Sequence, residues 1–179
     1  MTLPRNRNGF ARRCLVLSTI ALGGMLTGCS QLPEKRVDTS IDIAAPRDVV
    51  WRILTDIERY PEWNPYHVSV RGRLALDEPL EVRISKPNGK TLEIEPHVMR
   101  LEPRTELTWG GGVSGIFVGE HVFLLSEKAT GSTHLVHKER FTGIAVPFAE
   151  LGAIEEGYVS MNQALKRRAE RFHVSQSDR

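Results

Sequence analysis

Between Leu151 and Phe172 the apolar residues Leu151, Ile154, Tyr158, Met161, Leu165, Ala169 and Phe172 recur at intervals of 3, 4, 3, 4, 4 and 3. That period predicts one long helix with a continuous apolar stripe, and such a stripe must be covered by another layer. The preceding chain indicates which layer. Residues 66–73, 80–85, 91–101, 106–110, 117–125 and 132–142 read as strands, separated by Gly or Pro. Pro87-Asn88-Gly89 is a hairpin signal, because Asn-Gly accepts the positive φ angles of tight turns, and Ala129-Thr130-Gly131 plays a similar part. Residues 37–43 alternate Val37, Thr39, Ile41 and Ile43 against Asp38, Ser40 and Asp42, which predicts a further half-buried strand. Pro46 suits a first helical turn, Asp48 its positive end, and Val49, Val50, Ile53 and Leu54 one apolar face. Asp56 can cap a second short helix that Pro61 stops. One strand, two short helices, six strands and one long helix define an α+β fold in which a curved antiparallel sheet of about seven strands covers a C-terminal helix.

The first 28 residues have another character. They carry Arg5, Arg7, Arg12 and Arg13 and no acid, followed by thirteen mostly apolar residues from Cys14 to Leu26. This is too short for a bilayer span of about 20 residues and suits the core of an export signal. Removing the leader leaves 20 basic residues (24 − 4) against 22 acidic ones. The formal charge of +2 on the whole chain becomes −2, so the composition gives no reason to expect a nucleic-acid partner. Leu26-Thr27-Gly28-Cys29 resembles the lipobox of bacterial lipoproteins, which implies a diacylglyceryl thioether on Cys29, cleavage before it and N-terminal acylation. The expected organisation is a signal peptide at 1–28, a lipidated tether at 29–36, a domain at 37–173 and a tail at 174–179. The expected address is the cell envelope, with the protein held on a membrane by lipid. Ser30 rather than Asp after Cys29 resembles lipoproteins forwarded to an outer membrane, facing the periplasm where the source has one. Arg12-Arg13 leaves twin-arginine and general secretory export open.

The order of elements in the mature chain resembles the helix-grip fold of the START-like superfamily, also called SRPBCC or polyketide cyclase/dehydrase-like proteins. The resemblance covers about residues 37–172. It rests on IAAPRDVVWRILTDIERYPEWNP at 43–65, GIFVGEHVFLL at 115–125, LVHKERFTGIAVP at 135–147 and GYVSMNQALKRRAE at 157–170. It implies an elongated cavity between sheet and long helix. Members bind lipids, plant hormones or polyketides and some are enzymes, so the resemblance implies a small hydrophobic ligand more firmly than any reaction.

Inward-facing strand residues are then the candidates. Leu135, His137, Glu139 and Phe141 share one face of the last strand, and His121, Phe123 and Leu125 share one face of the strand before it. If Phe123 pairs with Leu135, His121 falls opposite His137, with Glu139 one inward position beyond. A slip of two residues would separate the histidines. Three readings compete for this patch: a water-satisfied polar cluster with Glu139 fixing the His137 tautomer, a site that orients the polar end of an apolar ligand, or a metal site. No local spacing supports the last, and no metal or cofactor is assigned. Trp109 and Asn64 join the ligand-binding candidates, Asn64 against the alternative of a turn in which it bonds its own backbone. Gly110-Gly111-Gly112 reads as a flexible loop near the entrance. His67, His97, His134 and His173 have no partner that spacing identifies.

The leading expectation is a lipid-anchored envelope protein binding a lipid or aromatic molecule. A cyclase, dehydratase or isomerase using His137 and Glu139, with His121 assisting, is the alternative. A structural or interaction module whose cavity is filled by side chains is a third.

Overall fold

The computed structural model describes residues 31–177. The leader, the lipobox and Cys29 lie outside the described residues. Eight strands alternate with two α-helices and two 3₁₀ turns. They are β1 (Glu34–Ile43), α1 (Arg47–Thr55), β2 (His67–Gly72), β3 (Leu80–Ser85), β4 (Thr91–Ile94), β5 (His97–Glu102), β6 (Glu106–Val113), β7 (Phe117–Glu127), β8 (Thr133–Thr142) and α2 (Ile154–Ser177). All strand pairs are antiparallel. A five-stranded sheet has the order β1-β8-β7-β6-β5 and a three-stranded sheet the order β2-β3-β4.

The helix-grip α+β class matches the sequence expectation, but one expected strand, 91–101, is two. The break falls at Glu95-Pro96, between β4 and β5, because Pro96 has no N–H to continue the ladder. The Pro96 carbonyl instead accepts the Leu80 amide at 2.8 Å, and Asp77 and Val98 bond across the same seam. The two sheets are thereby joined at this seam.

Three other expectations shift. β1 begins at Glu34, inside the expected tether, because Glu34–Arg36 continue the β8 ladder up to Thr142. Residues 57–62 form a 3₁₀ turn that contains Pro61 rather than ending at it, and Asp56 supplies no side-chain cap; its carboxylate instead meets Arg59 at 3.4 Å. Gly110-Gly111-Gly112 is strand, not loop. A β-carbon on Gly110 would lie 2.3 Å from the Gly119 carbonyl oxygen and one on Gly112 2.1 Å from that of Phe117, so glycine here permits close pairing with β7.

The core has formed where the stripe predicted. Ile154, Tyr158, Met161, Leu165 and Ala169 are buried, along with Val49, Val50, Ile53 and Leu54 of α1. Phe172 is at the edge, with the Arg52 guanidinium 4.5 Å above its ring. α2 runs through the expected tail as far as Ser177. Gly157 stands within it for a packing reason: a β-carbon there would sit 2.2 Å from the Tyr66 ring.

Candidate functional site

Between the sheets and α2 lies a cavity of about 350 Å³, large enough to hold a small organic molecule. Its apolar walls come from Ile84, Leu92 and Ile94 of the small sheet, Phe117 and Phe141 of the large one, and Leu151 and Ile154 at the start of α2. Gly110, Gly111, Gly112 and Gly119 leave the middle of the large sheet without side chains, and this creates the space. The polar groups gather at one wall.

The β7–β8 register differs from the expected one by two residues: Phe123 faces His137, His121 faces Glu139, and Leu125 faces Leu135. The turn is centred one residue later, on Thr130 rather than Ala129, with Glu127 pairing Thr133 and Gly131 at φ 75°. The histidines nevertheless meet. Their rings lean diagonally across the ladder, and the two Nε2 atoms are 2.6 Å apart. The slip that was expected to part them does not, since diagonal neighbours remain within reach of long side chains.

A directed chain of hydrogen bonds runs inward from this contact. The Thr39 hydroxyl donates to the His137 carbonyl at 2.8 Å, so its oxygen accepts from Asn162 Nδ2 at 2.9 Å. Asn162 Oδ1 then faces His137 Nδ1 at 2.8 Å, which must carry the proton. A neutral His137 therefore accepts at Nε2, and His121 donates there from its own Nε2. His121 Nδ1 is left as a buried, unprotonated nitrogen with no hydrogen-bond partner among the described residues, and the Nδ1 of His67 is also unpartnered. Burial holds His67 down to about 3, and burial together with neighbouring imidazoles keeps His121 and His137 well below the ordinary histidine value. All three rings are neutral at pH 7.

Asn162, not Glu139, thus fixes the His137 tautomer. Glu139 accepts a short hydrogen bond from the Tyr158 hydroxyl, and Tyr158 stacks on His137 with ring centroids 3.9 Å apart. Burial raises the Glu139 carboxyl to about 7, with the Tyr158 bond and the Lys86 charge opposing the rise. The carboxyl is therefore poised between its neutral and charged forms near neutral pH.

Of the candidates named from sequence, Trp109, His121, Glu139 and Phe141 line the cavity. His137 lies behind His121, and Phe123 and Leu135 are wholly buried in the core behind it. Asn64 is not at the cavity: its Oδ1 accepts the backbone amides of Tyr66 and His67 at 3.0 Å each, the turn that was its alternative. That turn sets His67 at the start of β2, 5.0 Å from His121 between ring centroids. His67, Tyr158, Asn162 and Lys86 escaped the sequence reading as site residues. Tyr158 and Asn162 are four residues apart on the buried side of α2, so a polar residue adjoining the apolar stripe was the available signal. His67 had none, because a bulge between His67 and Ser69 breaks the alternation of β2. His134 pairs with Asp42 at 2.7 Å, away from the cavity wall. Among the described residues no three His, Cys, Asp or Glu side chains are grouped to hold a metal ion.

A long helix gripped by a curved sheet, with a mostly apolar cavity between them, defines a START-like protein. Residues 34–170 match the model of the family described as polyketide cyclase / dehydrase and lipid transport, and the chain belongs to that family. Solved structures with the same fold include the Zhui aromatase/cyclase from Streptomyces sp. R1128, 18% identical with a TM-score of 0.63 over 78% of this chain and 95% of that one. A START superfamily protein from Mycobacterium smegmatis is 19% identical, with a TM-score of 0.60 over 76% and 98%. Protein NE0264 from Nitrosomonas europaea is 17% identical, with a TM-score of 0.62 over 76% and 95%. No curated protein matches the chain.

Proposed function

We propose that this is an envelope protein, held on a membrane by acylation of Cys29, that binds a small, largely apolar molecule. The observation that carries the binding role is the cavity, whose mostly apolar walls meet a polar side made by His67, His121, Glu139 and Tyr158. The lipobox residues Leu26-Thr27-Gly28-Cys29 support the anchor. Native mass spectrometry of the full chain purified from its own host should detect a co-purifying apolar molecule, and Gly111→Leu, which fills the cavity, should exclude it. A chain that is empty, and stays empty when offered phenols and hydroxylated lipids, would refute the binding role.

A second reading follows from Glu139. A carboxyl near 7, bonded to Tyr158 in a cavity wall, is placed to take a proton from a bound carbonyl compound and return it elsewhere, as cyclisation and dehydration require. Here the acid–base group is Glu139 itself, because His137 is committed to Asn162 and His121. Glu139→Gln separates the two readings: loss of turnover with ligand affinity kept supports catalysis, and equal loss of both supports binding alone.

A further inference from the structure

Five of the exposed large apolar side chains lie at one end of the domain: Leu32 at 47% exposure, Val113 at 60%, Ile116 at 51%, Ile144 at 59% and Phe148 at 88%. Scattered exposed apolar residues are ordinary, but these five project from segments hydrogen-bonded to one another. Ile144 N donates to Gly115 O at 3.1 Å, Ala145 N to Ile116 O at 2.9 Å, and Gly143 N to Pro33 O at 3.0 Å. Gly143 makes the junction possible at φ 132°, where a β-carbon would lie 2.2 Å from the Ile116 carbonyl oxygen. The segments 113–119 and 143–149 contain no charged residue, in a chain of which 26% is Asp, Glu, Lys or Arg. A surface of this kind can leave water without stripping a charge.

We infer that this end of the domain inserts into a lipid bilayer, seating the cavity against the membrane. The inference rests on the Cys29 anchor proposed above. Pro33 is four residue steps beyond Cys29, a reach of at most about 14 Å, so an acyl group on Cys29 and the apolar tip at Gly143 meet the same bilayer surface. That reach favours a bilayer over a second copy of the chain as the occupant. The cavity adjoins the same end: Gly112 and Phe117 flank Val113 and Ile116, Glu150 follows Phe148 by two residues, and all three line the cavity. An apolar ligand could pass between bilayer and cavity without crossing water.

The test uses the full chain with Ser114→Cys at the exposed hairpin tip, labelled with an environment-sensitive fluorophore and reconstituted on phosphatidylcholine vesicles. Thr130→Cys, in the turn at the opposite end of β7 and β8, is the control. The label at 114 should shift to the blue and be quenched by lipids carrying a nitroxide near the headgroup, while the label at 130 should not respond. Ile116→Ser, Ile144→Ser and Phe148→Ser together should abolish the response at 114, with melting temperature unchanged because all three side chains face solvent. Intact-mass measurement of each sample reads acylation of Cys29 separately. A chain that is acylated and vesicle-bound, yet equally wet at 114 and 130, overturns the inference, as does a blue shift that needs no lipid and grows with protein concentration. If Cys29 carries no acyl group the anchor reading fails alone. Flotation with vesicles then decides: binding lost in the triple-serine chain supports insertion, and binding kept by it, or absent from the parent, overturns insertion.

Discussion

His67, His121 and His137 are neutral in the fold but ordinary histidines in the unfolded chain, so unfolding takes up protons as the pH falls below about 6.5. Stability is therefore full above that value and declines toward the lowered folded-state values, each fully titrating ring contributing up to about 1.4 kcal/mol per pH unit. Glu139 has the opposite sign. Its folded value of about 7 lies above its unfolded value of 4.5, so between the two the native state holds the extra proton and the carboxyl partly offsets the histidines. Urea midpoints between pH 6.5 and 4.5 should fall as pH falls, and in Glu139→Gln they should fall more steeply, by about one proton. A slope that is unchanged or shallower in that variant would mean that Glu139 is not raised. These residues show the limit of reading a site from sequence. Alternation on β7 and β8 placed His121 and Glu139 on the inner face, but the His137 partner comes from Asn162, 25 residues away on α2. No local spacing encodes a contact between a helix and a sheet.

The elements themselves were largely legible, since period and turn chemistry are local properties: the α2 stripe, the Pro87-Asn88-Gly89 turn and the alternation of β8 all appear where expected. Failures came where glycine or proline acts through a neighbouring strand. Gly110-Gly111-Gly112 has the composition of a loop, and only pairing with β7 makes it strand. Two glycines now carry opposite expectations. Gly157→Ala should raise helix propensity by about 1 kcal/mol yet lower stability on balance, because the new methyl meets the Tyr66 ring. Thermal unfolding measures this, and Gly157→Ala with Tyr66→Leu should recover part of the loss. Gly111 has room, its nearest neighbour to an added β-carbon being Pro96 Cα at 3.6 Å. Gly111→Leu should leave secondary structure and melting temperature nearly unchanged while filling ligand space, so that binding by titration calorimetry weakens at least about tenfold.

At the scale of the molecule the two sheets are joined at the Pro96 seam, and Glu150 ties the small sheet to the segment that leads into α2. Its carboxylate accepts Lys90 at 2.7 Å and Asn88 at 3.2 Å, and its carbonyl accepts Lys86 at 2.8 Å. These partners are in and beside the β3–β4 turn, while Glu150 leads into α2 at the cavity rim. Exposed ion pairs contribute less than about 1 kcal/mol, so Glu150→Ala should leave stability almost intact. Ligand exchange followed by stopped-flow should become faster and lose its dependence on salt; an unchanged release rate would show that this contact does not limit opening.

The chain of donors from Thr39 to His121 also works as a lock on proton positions. Reversing it would require the Thr39 hydroxyl to abandon a main-chain carbonyl, Asn162 to flip its amide and two imidazoles to exchange tautomers together. The contact between the two imidazoles therefore keeps a single polarity with no charge on either ring, by a choice fixed four residues deep in the protein.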